Sequence, residues 1–327
     1  MKFSDQIIPN YGTVITNEKV HNRTYPYTIV TAASDNHFCA LQSWLYKISD
    51  TLKDLSEEQK PRIIVYDLGL AKYQKKVLRL LKKKGKYFDK LIKFDYKKYP
   101  KFWNIDYNRG EYAWKSGIIK EVSMKYPGII IWLDSGSFIT SEFYINLEIL
   151  LEQNNGFLSP KSSGSFLKWT HPGVFKYFNQ STSMYRGKHY VNCNGAAIVF
   201  DTNKTQYLID KWNECALVKN CIAPKGSSRA NHRQDQAILT FLIINDNRSC
   251  DHELSHIGIK THMDEKCAQN IYYYDKLHGE FYWPTSEDLE ELRQLKETYD
   301  LFVFYDIWNE GALEELLANM KEEKVVT

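Results

Sequence analysis

Short apolar runs in the first half of the chain predict the strands of a buried sheet. The runs lie at residues 27–35, 62–70, 90–96 and 129–133. The last run, IIIWL, has no polar interruption, which is typical of a strand buried on both faces inside a parallel sheet. It leads directly into Asp134, which is followed by Ser-Gly-Ser. The carboxylate at the end of this buried strand is therefore a candidate functional group.

Helical segments separate these strands. The predicted helices cover residues 37–52, 72–86 and 111–125, and the last of them stops before Pro127-Gly128, a pair that ends helices. Repeated alternation of strand and helix favours a parallel sheet with right-handed crossovers. We therefore expect an α/β fold in which helices flank a mostly parallel central sheet.

The second half of the chain is less regular. Its predicted elements are strands at 157–161 and 194–202, helices at 204–216 and 234–244, a late strand LFVFYDI, and an acidic helix near the end. The sequence contains no internal repeat and no low-complexity linker. We expect one domain at residues 25–265, with an irregular lead-in at 1–24 and a C-terminal extension at 266–327 that packs on the domain.

Small and acidic residues follow three of the predicted strands, at Thr31–Asp35, Asp67–Leu70 and Asp134–Ser137. In an open parallel sheet, ligands bind outside the carboxyl ends of the strands. The three segments therefore indicate one site at that edge of the sheet. A role for Asp134 as the cap of a helix beginning near Ser141 is disfavoured, because Asp134 lies too far upstream.

The composition is that of a globular protein, with 43% hydrophobic and 25% charged residues in a chain of 327. The sequence has no long apolar window and no signal-peptide pattern at its start, so a cytoplasmic protein is expected as given. A trimmed ectodomain in the lumen of the ER or Golgi would have the same composition. The six cysteines form no CxxC pair. Cys215 and Cys221 are close enough for a disulfide, although spacing alone leaves this open.

Residues 72–101 form a strongly basic segment, with 13 Lys or Arg against Asp89 and Asp95. Such a run in a helical setting is most often a solvated face, and the alternative is contact with a membrane surface or another anionic partner. No nucleic-acid-binding motif accompanies the run, so we expect no nucleic-acid partner.

The order of the motifs resembles that of the GT-A fold glycosyltransferases, and more specifically an uncharacterised GT-A-like family that is abundant in nematodes. The motifs are Tyr66–Leu70, Trp114-Lys115, Trp132–Ser135, and the later segments THPGVFKYF, CALVKNCIAP and HRQDQAI. The resemblance covers roughly residues 60–245. It implies a hexosyl- or pentosyltransferase that uses a nucleotide-sugar donor and a glycan or other hydroxyl acceptor.

The resemblance also implies a metal. Loss of the sugar leaves negative charge on the departing diphosphate, and Mn²⁺ or Mg²⁺ held by carboxylates offsets that charge. Asp134 would hold the metal, with His256 and His262 as late ligands. Gly136, however, stands where most such enzymes have a second Asp. The other expectation is a metal-independent enzyme that uses Lys or Arg against the diphosphate.

Catalytic and donor-binding roles follow from the same resemblance. Asp235-Gln236 resembles the start of a helix whose carboxylate faces the donor sugar in retaining enzymes. Asp235 and Asp134 are therefore the expected catalytic residues. Charged residues at a helix start are also common without function. Retention of the anomeric configuration is expected. The implied donor-binding residues are Thr31, Ala32, Ala33, Asp35, Lys115, Ser135, Gly136, Asn194, Gly195, Arg233, Gln236 and Lys260.

Two other functions compete with sugar transfer. A nucleotidyltransferase has a similar sheet but normally carries a glycine-rich basic loop after its first strand, and TAASDNHF lacks that loop. A non-catalytic carbohydrate- or partner-binding protein with a degenerate site is compatible with Gly136. The presence of Asp134, Asp235 and the late histidines favours the enzyme.

Overall fold

The computed structural model describes residues 24–278 of the chain. The predicted lead-in, apart from its last residue, and the part of the C-terminal extension beyond residue 278 lie outside the described residues. The predicted strand LFVFYDI and the predicted acidic helix fall in that second part.

The described elements follow the predicted alternation. The strands are Tyr27–Ala33 (β1), Arg62–Asp67 (β2), Lys90–Lys93 (β3), Ile129–Leu133 (β4), Phe138–Ile139 (β5), Phe157–Leu158 (β6), Lys161–Ser165 (β7), Val191–Cys193 (β8), Ala197–Asp201 (β9) and Ile259–Lys260 (β10). The helices are Phe38–Thr51 (α1), Lys72–Leu80 (α2), Trp114–Lys125 (α3), Ser141–Ile145 (α4), Leu147–Gln153 (α5), Phe166–Trp169 (α6), Pro172–Tyr177 (α7), Thr202–Ala216 (α8), Lys219–Ile222 (α9), Gln234–Asn245 (α10) and Cys267–His278 (α11). Among residues 24–278, no helix is long and apolar enough to cross a membrane.

A six-stranded sheet with the strand order β3-β2-β1-β4-β9-β6 forms the centre of the fold. The first four strands are parallel, since β1 pairs in parallel with β2 and β4, and β2 pairs in parallel with β3. Strand β9 runs antiparallel to both β4 and β6. The predicted fold class, a mostly parallel sheet flanked by helices, is confirmed.

Two apolar cores lie on opposite faces of this sheet. In β4, Ile130 and Trp132 belong to one core, and Ile131 and Leu133 belong to the other, as the two-residue period of a strand requires. Side chains of α3, α8 and α10 cover the first face, and side chains of α1 and α2 cover the second. The run at 129–133 is apolar throughout because both of its faces are covered.

Two small antiparallel sheets accompany the central sheet, and one of them brings a late segment to the loop that follows β4. In one, β5 pairs with β10, and Ile139 lies opposite Ile259. Next to it, the backbone N–H of Met263 donates to the carbonyl oxygen of Gly136 at 2.9 Å. In the other small sheet, β7 pairs with β8. Late residues of the chain therefore lie beside the carboxyl end of β4.

Three disulfides use all six cysteines of the chain. They join Cys39 to Cys267, Cys193 to Cys250, and Cys215 to Cys221. The first ties α11 to α1 across 228 residues of sequence, so it restricts the unfolded chain strongly. The third disulfide joins Cys215 to Cys221, a pair whose short spacing in the sequence did not decide whether a disulfide forms. Structural disulfides are typical of proteins that fold in an oxidising compartment.

Two helix boundaries differ from those that the sequence predicts. The basic helix predicted at 72–86 is α-helical only to Leu80 and continues as a wider π-helical turn to Gly85. Helix α3 begins at Trp114 rather than at residue 111, because the residues before it have left-handed backbone angles.

Candidate active site

A cavity of about 1360 Å³ opens at the carboxyl edge of the parallel strands. Its walls come from the ends of β1, β2 and β4, the loop before α3, the start of α10, and the late segment around residue 262. Ligand pockets of this kind are expected at this edge of an open sheet. The predicted location of the site agrees with the position of this cavity.

Asp134 lies on the cavity wall directly after β4. Its backbone N–H donates to the carbonyl oxygen of Ala196 at 2.9 Å, which extends the pairing of β4 with β9 by one residue. The Oδ1 atom accepts a hydrogen bond of 2.7 Å from Trp132 Nε1. The side chain keeps 42% of its surface exposed. The carboxylate is thus held in a fixed orientation and remains open to the cavity.

Lys115, in the first turn of α3, is buried between two carboxylates. Its Nζ lies 3.0 Å from Asp134 Oδ1 and 3.3 Å from Asp235 Oδ2. It also donates a hydrogen bond of 2.7 Å to the carbonyl oxygen of Gly195. The ammonium group therefore has one hydrogen-bond acceptor, the Gly195 carbonyl, and two carboxylates as ionic partners. Burial lowers the pKa of Lys115, but the two carboxylates more than offset this, and the net shift is upward.

Asp235 lies in the first turn of α10, and its side chain is only 8% exposed. Burial raises the pKa of Asp235, and the charge of Lys115 opposes that shift. Within the described residues, Asp235 Oδ2 has no hydrogen-bond donor of suitable geometry. The ion pair with Lys115 therefore compensates for its burial. When all three groups are charged, the cluster of Lys115, Asp134 and Asp235 carries a net charge of −1.

Asn194 and Gly195 form the turn that completes this cluster. Asn194 Oδ1 accepts a hydrogen bond of 3.0 Å from the N–H of Ala196, so this side chain shapes the turn. A Cβ atom at Gly195 would lie 3.5 Å from Asp235 Oδ2 and 3.3 Å from Gln236 Cβ. The missing side chain allows the start of α10 to approach the turn closely, while the Gly195 carbonyl meets Lys115.

Asp264 takes the space beside Gly136. A Cβ atom built at Gly136 would lie 1.7 Å from Asp264 Oδ1, so no larger residue fits at position 136 without movement of Asp264. Both residues line the cavity. A carboxylate from the late segment thus lies next to the position where the sequence lacks a second Asp, and sequence reasoning missed it.

The predicted metal ligands do not come together. Asp134 and His262 line the cavity, but His256 lies outside its lining and is exposed. Among the side chains that the structure describes, which end at Tyr274, no group of three His, Cys, Asp or Glu has an arrangement that could hold a metal ion. Asp134 is instead paired with Lys115. A metal site built from the predicted three ligands therefore does not fit this structure.

Most of the other predicted site residues reach the cavity. Those that line it are Ala32, Ala33, Asp35, Lys115, Asp134, Ser135, Gly136, Asn194, Gly195, Arg233, Asp235, Gln236 and His262. Thr31 is fully buried inside β1, and Lys260 is exposed on β10; neither belongs to the lining. The structure thus separates Thr31, Lys260 and His256 from the residues predicted with them.

Sequence reasoning also missed several cavity residues. They include Arg109, Tyr112, Trp169, Arg229, His232 and Asp264. Ser137, which belongs to a segment predicted to border the site, is 1% exposed, and within the described residues its Oγ atom has no hydrogen-bond partner. The aromatic and polar loop KKYPKFWNIDYNRG before α3 was the available signal for Arg109 and Tyr112, because loops at a strand end carry binding residues.

Several solved glycosyltransferase structures are similar to this chain. The bifunctional glycosyltransferase WbbM, in its apo form, has a TM-score of 0.41 and 17% identity over 69% of this chain and 38% of its own. The galactosyltransferase LgtC, in complex with donor and acceptor sugar analogues, has a TM-score of 0.42 and 15% identity over 66% of this chain and 70% of its own. Mouse xyloside xylosyltransferase 1, in its apo form, has a TM-score of 0.43 and 11% identity over 70% of this chain and 84% of its own.

No protein-family model and no curated protein matches the chain. The three solved structures are glycosyltransferases, the class that the sequence motifs resemble. Their TM-scores lie below 0.5 and their identities below 25%, so these similarities do not decide the function. The function rests on the chemistry of the site.

Proposed function

We propose that this protein transfers a sugar from a nucleotide-sugar donor to a hydroxyl group of a glycan or other acceptor. The observation that carries the proposal is the cluster of Lys115, Asp134 and Asp235 on the wall of the cavity, in which Lys115 and Asp235 are buried. Its net charge of −1 suits a reaction in which positive charge develops on the substrate. Glycosyl transfer is such a reaction, because its transition state resembles an oxocarbenium ion.

The size of the cavity supports two substrates. Pockets for one small ligand have volumes of about 300–1,000 Å³. This cavity, at about 1360 Å³, has room for a nucleotide-sugar together with an acceptor. Ala32 and Ala33, at the end of β1, offer a surface without long side chains on which the nucleoside would lie.

The reaction breaks the bond between the anomeric carbon and the diphosphate oxygen and forms a bond from that carbon to the acceptor oxygen. Asp235 would lie near the anomeric carbon and stabilise its positive charge electrostatically. Lys115 would hold Asp235 and Asp134 in place. In the retaining mode that we propose, the departing diphosphate takes the proton of the acceptor hydroxyl. The pairing of Asp235 with Lys115 favours its charged form, which is the form that stabilises a positive transition state, and this supports that mode.

Assistance by Mn²⁺ or Mg²⁺ stays a prediction from the resemblance. Asp134, Asp264 and the diphosphate oxygens are the groups that such a cation would meet in this cavity. The measurement is donor turnover after removal of metals with EDTA, followed by titration of Mn²⁺. Turnover that is unchanged by EDTA would leave the arginine side chains of the cavity to offset the charge of the diphosphate.

The compartment that we propose is the lumen of the ER or Golgi rather than the cytoplasm. All six cysteines lie in disulfide pairs, and cytosolic thiols are kept reduced. Thiol alkylation of the unfolded protein, with and without prior reduction, tests this in protein isolated from its own cells. Alkylation of all cysteines without reduction would show that they are free thiols and would favour a cytoplasmic protein instead. Contact of the basic segment 72–101 with a membrane surface stays a prediction.

The experiment that tests the function is a donor-hydrolysis and transfer screen with a panel of nucleotide-sugars. Release of the nucleoside diphosphate from one donor, lost in the Asp134→Asn variant, is the expected result. A non-catalytic sugar-binding protein would bind a nucleotide-sugar in a thermal-shift assay without any release. Absence of both binding and release across the panel would refute the proposal.

A further inference from the structure

The loop before α3 contains a left-handed turn. All five residues from Asn108 to Tyr112 have φ between 48° and 64°, and only Gly110 among them is a glycine. A left-handed backbone costs about 1–2 kcal/mol for each residue that has a Cβ atom. Strain of this kind persists only where the surroundings enforce it, and it is concentrated at functional sites.

Contacts on both sides of the turn hold it in this conformation. The Glu111 carboxylate is buried and accepts hydrogen bonds from Asn108 Nδ2 at 2.8 Å and from Gln234 Nε2 at 3.3 Å. A Cβ atom at Gly110 would lie 2.1 Å from the carbonyl oxygen of Trp103, so this position requires glycine for space as well as for φ. The turn is thus fixed to the start of α10, where Asp235 lies.

The effect of the turn is to place two arginine side chains on one phenol oxygen. Arg109 Nη1 donates to the hydroxyl oxygen of Tyr112 at 3.0 Å, and Arg229 Nη1 donates to the same atom. The Arg229 guanidinium also lies 5.4 Å from the centre of the Tyr112 ring. All three residues line the cavity.

No carboxylate whose side chain the structure describes forms a salt bridge with Arg109 or Arg229; the ion pairs found involve other residues. Asp106 lines the same cavity but does not pair with either arginine. Two guanidinium groups at one oxygen repel each other, and an anion between them would remove that repulsion. The Tyr112 oxygen accepts from both arginines, so its own O–H stays available to donate.

Arg233, another arginine of the cavity wall, also contacts uncharged groups. Arg233 donates from Nη1 to Ser162 Oγ at 2.9 Å and from Nη2 to Ser163 Oγ at 3.2 Å, and it stacks 4.2 Å from the centre of the Trp169 ring. Hydroxyl and aromatic contacts orient these guanidinium groups without neutralising them. Their planar donor sets suit phosphate and carboxylate oxygens.

We propose that Arg109, Tyr112 and Arg229 form an oxyanion-binding subsite on the wall of the cavity. The ligand is a phosphate or carboxylate group, which comes either from the diphosphate of a nucleotide or from an acidic sugar. The subsite is a binding site in its own right and does not depend on sugar transfer.

The test is titration calorimetry at low ionic strength with inorganic pyrophosphate, UDP, glucuronate and neutral glucose. The variants are Arg109→Gln/Arg229→Gln and a matched double, Arg79→Gln/Arg186→Gln, whose arginines are exposed and lie outside the cavity lining. We expect the first double variant to weaken anion binding at least about tenfold, the scale of one lost hydrogen bond to a charged group. The matched double and the wild type should bind equally, and glucose should not distinguish any of them.

The pattern across ligands identifies the source of the oxyanion. Weaker binding of both pyrophosphate and UDP assigns the subsite to the diphosphate of the nucleotide. Weaker binding of glucuronate alone assigns it to an acidic acceptor. Equal loss in the matched double, or binding of no anion by the wild type, would overturn the subsite.

The Tyr112→Phe variant keeps the inference testable if the double variant does not fold. It retains the ring beside Arg229 and removes only the hydroxyl group to which both arginines donate. We expect anion binding several-fold weaker than in the wild type, with an unchanged thermal unfolding midpoint. Wild-type affinity in this variant and in every folded arginine variant would contradict the subsite.

Discussion

Lys115 and Asp235 meet with Nζ and Oδ2 3.3 Å apart, and their side chains are 5% and 8% exposed. Taking two charges out of water costs several kcal/mol for each ion, so a buried ion pair adds little to net stability. The chain nevertheless places this pair at the wall of its large cavity, with Asp134 as a third member. Charges that are oriented before a substrate binds are those that electrostatic catalysis uses, so this costly arrangement fits the proposed function.

Replacement of Lys115 by Met should destabilise the protein by about 3–5 kcal/mol, because it leaves Asp235 buried without a partner. Urea unfolding of the variant measures this change. The double variant Lys115→Met/Asp235→Asn should recover part of the loss, since it removes the unpaired charge. Lys120→Met is the matched control on the same helix; its partner Asp210 is 39% exposed, so the loss should be at most about 1 kcal/mol. Equal losses of stability in the Lys115 and Lys120 variants would contradict the claim that Lys115 compensates for the buried charge of Asp235.

Asp134→Asn should abolish transfer while the fold stays intact. The amide oxygen can still accept from Trp132 Nε1, but the negative charge beside Lys115 is gone. We expect kcat to fall at least about 100-fold, as for the loss of one preorganised electrostatic contact. Asp54→Asn, at an exposed position outside the cavity lining, is the control and should have normal turnover. Wild-type-like turnover in the Asp134 variant would contradict a catalytic role for Asp134.

Asp235→Ala should cost about 3–4 kcal/mol of transition-state stabilisation, which appears as a loss in kcat/KM. NMR of the first-formed product gives the stereochemistry, and we expect the anomeric configuration of the donor. The opposite configuration would make Asp235 the leading candidate for the base that deprotonates the acceptor. Near-normal activity of the Ala variant would contradict both roles of Asp235, as stabiliser of the transition state and as base.

Neutralising the basic segment should leave catalysis almost unchanged. Lys82 and Lys83 are exposed in the π-helical turn after α2 and do not line the cavity. We expect Lys82→Gln/Lys83→Gln to keep turnover on a small, freely dissolved acceptor within a few-fold of the wild type. A large loss would mean that this segment contributes to the donor or acceptor site.

His232 should make the protein less stable in mild acid. Burial lowers the pKa of His232 to about 4, from an ordinary 6.5. As the pH falls below 6.5, the unfolded chain takes up a proton that the folded protein does not bind until about pH 4, so stability falls across this window. We expect a loss of about 2 kcal/mol from this group between about pH 7.5 and about pH 5.

Urea unfolding at these two pH values, compared between the wild type and His232→Gln, isolates this contribution. The glutamine offers a donor for the Ile222 carbonyl and an acceptor for the N–H of His171, the two hydrogen bonds that the His232 ring makes. The wild type should lose more stability than the variant. Identical pH dependence in the two proteins would mean that His232 is not the group responsible.

The general position of the cavity followed from the sequence. The apolar run at 129–133 predicted a strand covered on both faces, and the segments after β1, β2 and β4 predicted a site at their carboxyl ends. The inference about the strand succeeded because burial imposes a local, periodic pattern on the residues of a strand. Asp134, Lys115 and Asp235 were selected by motif, and the structure brings them together.

Only the tertiary structure decided how those residues combine. The sequence does not show that Lys115 lies between the two carboxylates, that Asp264 lies beside Gly136, or that His256 stays outside the cavity. Nor does it show the left-handed turn at 108–112, whose conformation depends on Gln234 far along the chain. These relationships join residues that are distant in sequence, and their geometry depends on how separate elements pack. A periodic pattern records whether a residue is buried, but it does not record which distant residue it meets.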